Sequence, residues 1–369
     1  MQVEAKRERI ISVDFLRGLT VAFMIFVNSP GSWDYVFPWF AHAKWNGCTP
    51  TDLIFPFFLF IVGLSVYFSL SPFKRGPITS ALIFKILKRA FFLFFIGLLL
   101  NGFPYYHLDT IRIPGVLQRI SIVFLSCALL FLYTSWRFQL LLTIALLLLY
   151  CFSLVFFPVP GYGSSNLEPS TNLAAWVDHR LLNNHVWSQT KPWDPEGVLS
   201  TFPAIASGLI GLLTGFLMDT ANDKKTKTIR LFLTANLLLL FSITWAWSFP
   251  FNKNLWTSSY VFFTSGIALN GLAISYWVID VSNYKGFTKP FIAFGSNAIT
   301  AYILSELVEA CLNLIPVNTG LSLKSWLFTH VFASWLNPFV ASHLMAFTFV
   351  ILMYVPVYVL YKKQIMIKI

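Results

Sequence analysis

Charge is what this sequence has least of. Asp, Glu, Lys and Arg make up only 11% of its 369 residues, against roughly 25% in soluble domains. With 57% hydrophobic residues and a mean hydropathy of +0.69, the chain cannot cover a water-soluble globule. Cysteine is scarce too. Cys48, Cys127, Cys151 and Cys311 are scattered, three of them in apolar segments. That excludes a disulfide framework and any metal-type spacing. Each reads as a small buried hydrophobe, Cys48 excepted. Tandem repeats, low-complexity stretches and a soluble domain are all missing. So are the short alternating segments of a membrane β-barrel. The N-terminal MQVEAKRERIISVDFLRG lacks a small-residue cleavage site, and the apolar run that follows is long enough to span. It is not read as a cleavable signal peptide.

What is present is length of apolar sequence. About 18–20 apolar residues cross a bilayer, and the chain offers ten such segments, at 13–31, 52–71, 80–101, 115–134, 137–157, 198–218, 229–249, 257–279, 290–314 and 343–361. The expected fold is all-α, a polytopic bundle of about ten transmembrane helices. Segment 322–336 is apolar but short, which suits an interfacial or re-entrant piece. The net charge of +11 does not point to nucleic acid, because the basic residues mark alternate loops and form no single patch. With the N-terminus inside, the inner side collects 19 of the 26 Lys and Arg and the outer side 7. Such a bias orients a membrane protein and predicts that both termini are cytoplasmic. The outer connection 158–197 carries Trp176, Trp187 and Trp193. Its length and aromatic content predict an ordered, functional loop.

One polar island stands out. His42–Asp52, HAKWNGCTPTD, lies between two strongly apolar segments on the outer side. It packs a histidine, an amide, a Thr-Pro-Thr turn and a carboxylate into eleven residues. An imidazole titrating near neutrality suits proton abstraction or acyl transfer. Asp52, ten residues on, could orient the ring. Cys48 could in principle be a nucleophile. No other histidine has such company. His107, His179, His185, His330 and His343 read as loop or interface residues.

Asp14 and Arg17, at i and i+3, can pair at the start of the first span. Either they form a plain helix-start salt bridge, or Arg17 meets an anionic ligand arriving from the cytoplasm. Asn28 lies about 16 Å further out along the same helix. It could bridge helices or fix a reacting group near His42. More polar residues fall toward the outer face: Trp45 and Asn46 in the island, Arg112, Gln118 and Arg119 in RIPGVLQRI, Asp194 and Glu196 in DPEG, Asn252, Lys253 and Asn254 in PFNKNLW, Asn297 in FGSNAI, and Glu306. Caps, turns and interfacial snorkelling could account for each alone. Together they describe a polar pocket for a hydrophilic acceptor.

Seven stretches in order, SVDFLRGLTVAFMIFVN, HAKWNGCTPTDLIFPFFLFIVG, RIPGVLQRI, DPEGVLSTFPAI, PFNKNLWTSSYV, GSNAITAYILSE and VLYKKQIMIKI, carry a family likeness along almost the whole chain. The sequence resembles the heparan-α-glucosaminide N-acetyltransferase family of transmembrane acyltransferases, in its shorter bacterial form. The resemblance implies one transmembrane acyltransferase domain over 1–369, with 158–197 as an insertion, in a bacterial inner membrane. It implies transfer of acetyl from cytosolic acetyl-CoA to a glucosamine-type amine on the far side, with the family's essential histidine on His42 and its active-site asparagine on Asn28. Asp52 would then orient His42. Asp14, Arg17, Arg89, Gln118 and Arg119 are the expected acetyl-CoA residues. Trp45, Asn46, Asp194, Glu196, Asn252, Lys253, Asn254, Asn297 and Glu306 are the expected sugar residues. Ser305 stands where some members have a histidine before Glu306, so that pair is given no catalytic part. No metal is expected. The exposed aromatic spans are compatible with a homodimer. The alternative from another class is an amino-sugar transporter, disfavoured by the lack of internal symmetry.

Overall fold

The computed structural model describes residues 10–74, 76–221, 223–317 and 320–367. Lys6, Arg7, Arg9, Arg75 and Lys368, all counted on the inner side above, lie outside the described residues. Among the described residues the architecture is helical throughout, with only two isolated bridges, Val159–Gly163 and Pro316–Ser322. In order the helices are α1 (Ile11–Asn28), α2 (Ile54–Lys74), α3 (Ser80–Gly102), α4 (Val116–Tyr133), α5 (Trp136–Phe156), α6 (Leu173–Leu182), α7 (Thr201–Asp219), α8 (Lys224–Ala246), α9 (Ser258–Tyr276), α10 (Lys289–Ser296), α11 (Ala298–Leu314), α12 (Leu323–Leu327) and α13 (Pro338–Lys362).

Eight helices are long and apolar enough to cross a membrane, and the bent pair α10–α11 makes a ninth. Helix α3 is equally long at 23 residues but carries Lys85, Lys88 and Arg89. Among the described residues that makes eight to nine candidate spans, against about ten expected, with α3 set apart by its charges. Starts follow from caps. Thr79, Ser135 and Asp223 accept the backbone N–H of Leu82, Phe138 and Thr226, as N-cap residues do for otherwise unpaired donors.

The helices sort into an inner and an outer set. About two thirds of α1, α2 and α7 is buried, against 17% of α8 and 28% of α5 and α13. The outer set therefore presents its apolar faces outward, as lipid-facing helices must. Gly63 of α2 sits against the carbonyl of Gly208, and Gly211 of α7 against that of Phe60, with no room for a Cβ at either. Small residues of this kind let membrane helices pack backbone to backbone. We expect Gly63→Val to push α2 from α7 at a cost of more than about 3 kcal/mol, read as a drop in thermal unfolding temperature in detergent. An unchanged transition would refute that contact.

The loops fall at two ends. At one, Asp280 accepts the N–H groups of Ile11 and Ser12, Lys224 donates to the Asp280 carbonyl, and Lys74 donates to that of Thr134. At the other lie His42 and the long connection 157–200. This connection is ordered and contains α6, which the sequence reading did not anticipate. Helix α12 is five residues long and runs into a π turn, Phe328–Phe332, too short to span.

Candidate active site

The turn after α1 is built around one carboxylate. Thr49 and Asp52 occupy capping-box positions around Pro50. Asp52 Oδ2 accepts from Thr49 N, Thr49 Oγ1 and Ala43 N, each at 3.0 Å. Three donors on one oxygen leave Oδ1 for His42, whose Nδ1 lies 2.7 Å away. A carboxylate can only accept, so Nδ1 carries the proton and the lone pair is on Nε2. Asp52 is almost fully buried, whereas the His42 side chain is 46% exposed. The ring is thus held from behind and stays partly exposed.

The third member comes from the other side of the sequence. Lys253 Nζ sits 3.1 Å from His42 Nδ1, 3.2 Å from Nε2 and 3.8 Å from Asp52 Oδ1. The 250–257 loop is wound to place it. Asn252 Oδ1 accepts from Leu255 N, and its Nδ2 donates to Asn46 Oδ1. Gly47, at a φ of +121° that favours glycine, donates its N–H to the Phe251 carbonyl. Burial holds the Lys253 ammonium below its ordinary value, against the opposing pull of Asp52 and Glu196. Burial, and then the Asp52 charge, push the Cys48 thiol up to about 12. That removes Cys48 as a nucleophile, since the thiolate is the reactive form.

Beside this lies a second charged group. Arg112 grips Asp194 with Nε at 2.8 Å and Nη2 at 2.6 Å, and Nη2 also donates to Glu196. Burial works against the guanidinium charge, but Glu196 and Asp194 together raise its proton affinity further. The DPEG turn is anchored by Asp178 of α6, which accepts from Asp194 N at 3.2 Å and Val198 N at 2.8 Å. Burial lifts the Asp178 carboxyl to about 6 in spite of those donors. Sequence reasoning missed Asp178. Its only signal was a carboxylate within the long connection between two apolar segments. Arg112 was noted but given no role, yet it holds the turn together.

The candidate residues do not all converge. Arg119 is fully buried, with Nη2 donating to the Gly197 carbonyl and Ser200 and its guanidinium 5.0 Å from the Trp256 ring. Its Nε and Nη1, and Gln118 Nε2, have no partner. Gln118 and Glu306 line a cavity of about 110 Å³ with Asn101 and Tyr302. Asn28 acts on the Glu306 carboxyl as a hydrogen-bond donor. Trp45 donates to the Leu167 carbonyl at 2.8 Å and packs edge-on against Trp193. Asn254 is half-buried beside Lys253.

Three expected residues lie at the far end. Arg17 bonds Asp14 at 3.2 Å, the Gly295 carbonyl at 3.2 Å and Ser65 at 2.8 Å. Arg89 is exposed, stacked 4.7 Å from Phe124 and within electrostatic reach of Arg17. The expected acetyl-CoA set is therefore split, with Gln118 and Arg119 toward the His42 end. Asn297 corrects the sequence reading outright. It was expected on the His42 face, but it sits in the 84° break between α10 and α11. There it binds the Ile365 carbonyl and the Ile367 N–H, near the chain's C-terminal end. Among the described residues, no three His, Cys, Asp or Glu side chains gather as metal ligands.

These features define a many-pass helical membrane protein with a carboxylate–imidazole–amine site at one end of its bundle. A family model described as "Heparan-alpha-glucosaminide N-acetyltransferase, catalytic" matches residues 9–242, and the chain belongs to that family. It is 31% identical over 433 residues to the heparan-alpha-glucosaminide N-acetyltransferase of Mus musculus, covering 100% of this chain and 62% of that protein. It is also 31% identical over 366 residues to the Homo sapiens protein of that name, covering 84% of this chain and 54% of the relative. The chain thus spans less than two thirds of the length of these relatives.

Proposed function

We propose that this chain moves an acetyl group from acetyl-CoA to the amine of a glucosamine-type sugar, across a bacterial cytoplasmic membrane. The observation that carries the reading is the partly exposed His42 ring, oriented by Asp52 and faced by Lys253, together with family membership. In this reading Nε2 takes a proton from the sugar amine, which attacks the thioester carbonyl. The tetrahedral intermediate expels the CoA thiolate, which takes the proton back from the imidazolium. Alternatively Nε2 attacks first, giving an acetylimidazole that the amine then resolves. Lys253 is placed to offset the negative charge that develops on the carbonyl oxygen in either route.

At the far end, Arg17 and Arg89 place two guanidiniums near one another. An anion such as the CoA phosphates would relieve their repulsion. The end that holds Arg17 is then the cytoplasmic one, and both termini with it. Asn28, Glu306 and Gln118 would hold sugar hydroxyls beside His42, with Trp45, Asn46, Asn252 and Asn254 shaping the rim.

The test is transfer of labelled acetyl from acetyl-CoA to glucosamine by the purified protein. Labelled N-acetylglucosamine is the expected product. If vesicles carrying the protein take up unmodified glucosamine and no label is transferred, the transporter reading replaces this one.

The position of Lys253 gives a prediction about rate. Lys253→Ala removes the cation that would offset charge on the carbonyl oxygen, so kcat for acetyl transfer should fall by about two orders of magnitude. Lys253→Arg should keep part of that rate, and an unchanged kcat in Lys253→Ala would show that Lys253 does not act at the reacting centre.

A further inference from the structure

Lys85 and Lys88 of α3 take part in none of the roles above, and they stand at a costly depth. Helix α3 is 23 residues long, about 35 Å. It starts shortly after α2 ends at Lys74. Near its other end Asn101 lines the cavity of Gln118 and Glu306, so the helix runs the depth of the bundle. The two lysines lie about one to two turns inside its start. Beyond them, the stretch from Ala90 to Gly102 covers only about 20 Å, whereas a hydrocarbon core is about 30 Å thick. The lysines are therefore drawn below the headgroup level. Snorkelling toward Ser80 recovers only part of that depth.

The face that carries them is turned away from the protein. The buried residues of α3 are Ile86, Ala90, Leu93 and Gly97. Phe84, Lys88, Phe91 and Phe95, spaced by four, three and four, form a stripe on the opposite side. Phe84 and Phe91 are 68% and 64% exposed, and Phe95 is exposed with them. Lys85 and Lys88 are exposed too, with the Lys88 ammonium 5.8 Å from the Phe92 ring centroid. The neighbouring Arg89 is instead folded onto Phe124. Among the described residues neither lysine has a carboxylate partner. An unpaired cation at membrane depth calls for a counter-charge, and on this outward face the bilayer is what can supply it.

We propose that this stripe binds a phospholipid with a net negative headgroup, its phosphate held by Lys85 and Lys88 and its chains laid along Phe91 and Phe95. Charge complementarity selects the headgroup. A zwitterionic lipid brings a cation of its own beside its phosphate, and that cation would meet the two lysines. A net-negative headgroup brings none, and clustered basic residues at the edge of a membrane helix hold such headgroups. The phenylalanine rings deeper along the stripe give the chains an apolar bed. The inference is independent of the acetyl-transfer reading.

The test uses the full chain in dodecyl maltoside, with phosphatidylglycerol or phosphatidylcholine added and bound lipid counted by native mass spectrometry. Each lysine should favour the anionic lipid about fivefold, so wild type should prefer phosphatidylglycerol about 30-fold. Lys88→Gln alone should bring the preference down to about fivefold. Lys85→Gln with Lys88→Gln should abolish it, whereas Lys85→Arg with Lys88→Arg should keep it. Lys225→Gln with Lys227→Gln, at the start of α8, should leave it unchanged. Equal retention of the two lipids by wild type would overturn the proposal, as would a Lys85→Gln, Lys88→Gln variant that still discriminates. An equal loss in the α8 variant would mean general attraction to a basic surface, which also sinks it. Coenzyme A should leave the bound lipid in place. Its displacement would put the lysines in an acetyl-CoA site and refute the lipid assignment. Both glutamine changes lie on an exposed face and remove unpaired charge, so the double variant should unfold in lipid-free detergent no earlier than wild type. If it unfolds early, the wild-type ratio and the single Lys88→Gln variant decide.

Discussion

His42→Ala should cut acetyl transfer to glucosamine by about two to four orders of magnitude, the usual contribution of a positioned general base. It should do so without unfolding the protein. The side chain is nearly half exposed, and its removal opens no core cavity. The backbone of the turn is held independently, because Ala43 N, Thr49 N and Thr49 Oγ1 bind Asp52 whether or not the ring is there. Asp52→Asn is a gentler probe. An amide can still accept at one oxygen, but its N–H₂ group would face Nδ1 or the Thr49 donors. The ring would lose its fixed tautomer, so a smaller loss in kcat is expected with KM little changed. The check is the labelled-acetyl assay on protein whose unfolding temperature matches wild type. Should His42→Ala retain more than about a tenth of the activity, the ring is not the base or carrier assigned here. Kinetics then separate the two routes. An acetylimidazole predicts label on wild-type protein incubated with acetyl-CoA alone, whereas direct attack predicts none.

How much of this site could be read in the sequence depends on chain separation. His42 and Asp52 are ten residues apart, and Thr49–Asp52 has the spacing of a capping box. Local geometry forces the carboxylate back onto its own turn, so the pair was legible. Lys253 lies 211 residues from His42. Sequence placed it on the same face but could not place its Nζ against the ring, because that contact depends on how the 250–257 loop is wound. The many-pass helical bundle was legible from apolar length alone, and eight of the helices pass on length and hydropathy. The bend at Asn297 was not, because nothing in GSNAIT distinguishes a straight span from one turned by 84°. Asn28 illustrates the opposite limit. Its height along α1 followed from helix rise, but its contact with Glu306 of α11 needed the packing of two helices nearly three hundred residues apart in sequence.

Arg112→Ala should be the most destabilising change outside the helix crossings, by about 3–5 kcal/mol. The reason is what it leaves behind. Asp194 has no exposed side-chain surface and Glu196 only 8%. Without the guanidinium, two carboxylates face each other in a covered site, beside a third, Asp178, that burial already holds well above its ordinary range. Removing one partner of a buried pair costs far more than the pair contributes, because the remaining charge has lost its water. Arg112→Lys should recover little. A single ammonium cannot satisfy the two Asp194 oxygens and Glu196 at once, as the planar guanidinium does. Asp194→Asn with Glu196→Gln should partly rescue Arg112→Ala, since the double amide removes the unpaired charges. Thermal unfolding of detergent-solubilised protein checks all three. If Arg112→Ala melts with wild type, the charges are reached by water and the group is not the strut described here. If it melts early but the amide rescue restores only stability and not transfer, the carboxylates have a second duty. Glu196 lies within electrostatic reach of Lys253, so that duty would be to hold the lysine charge beside His42.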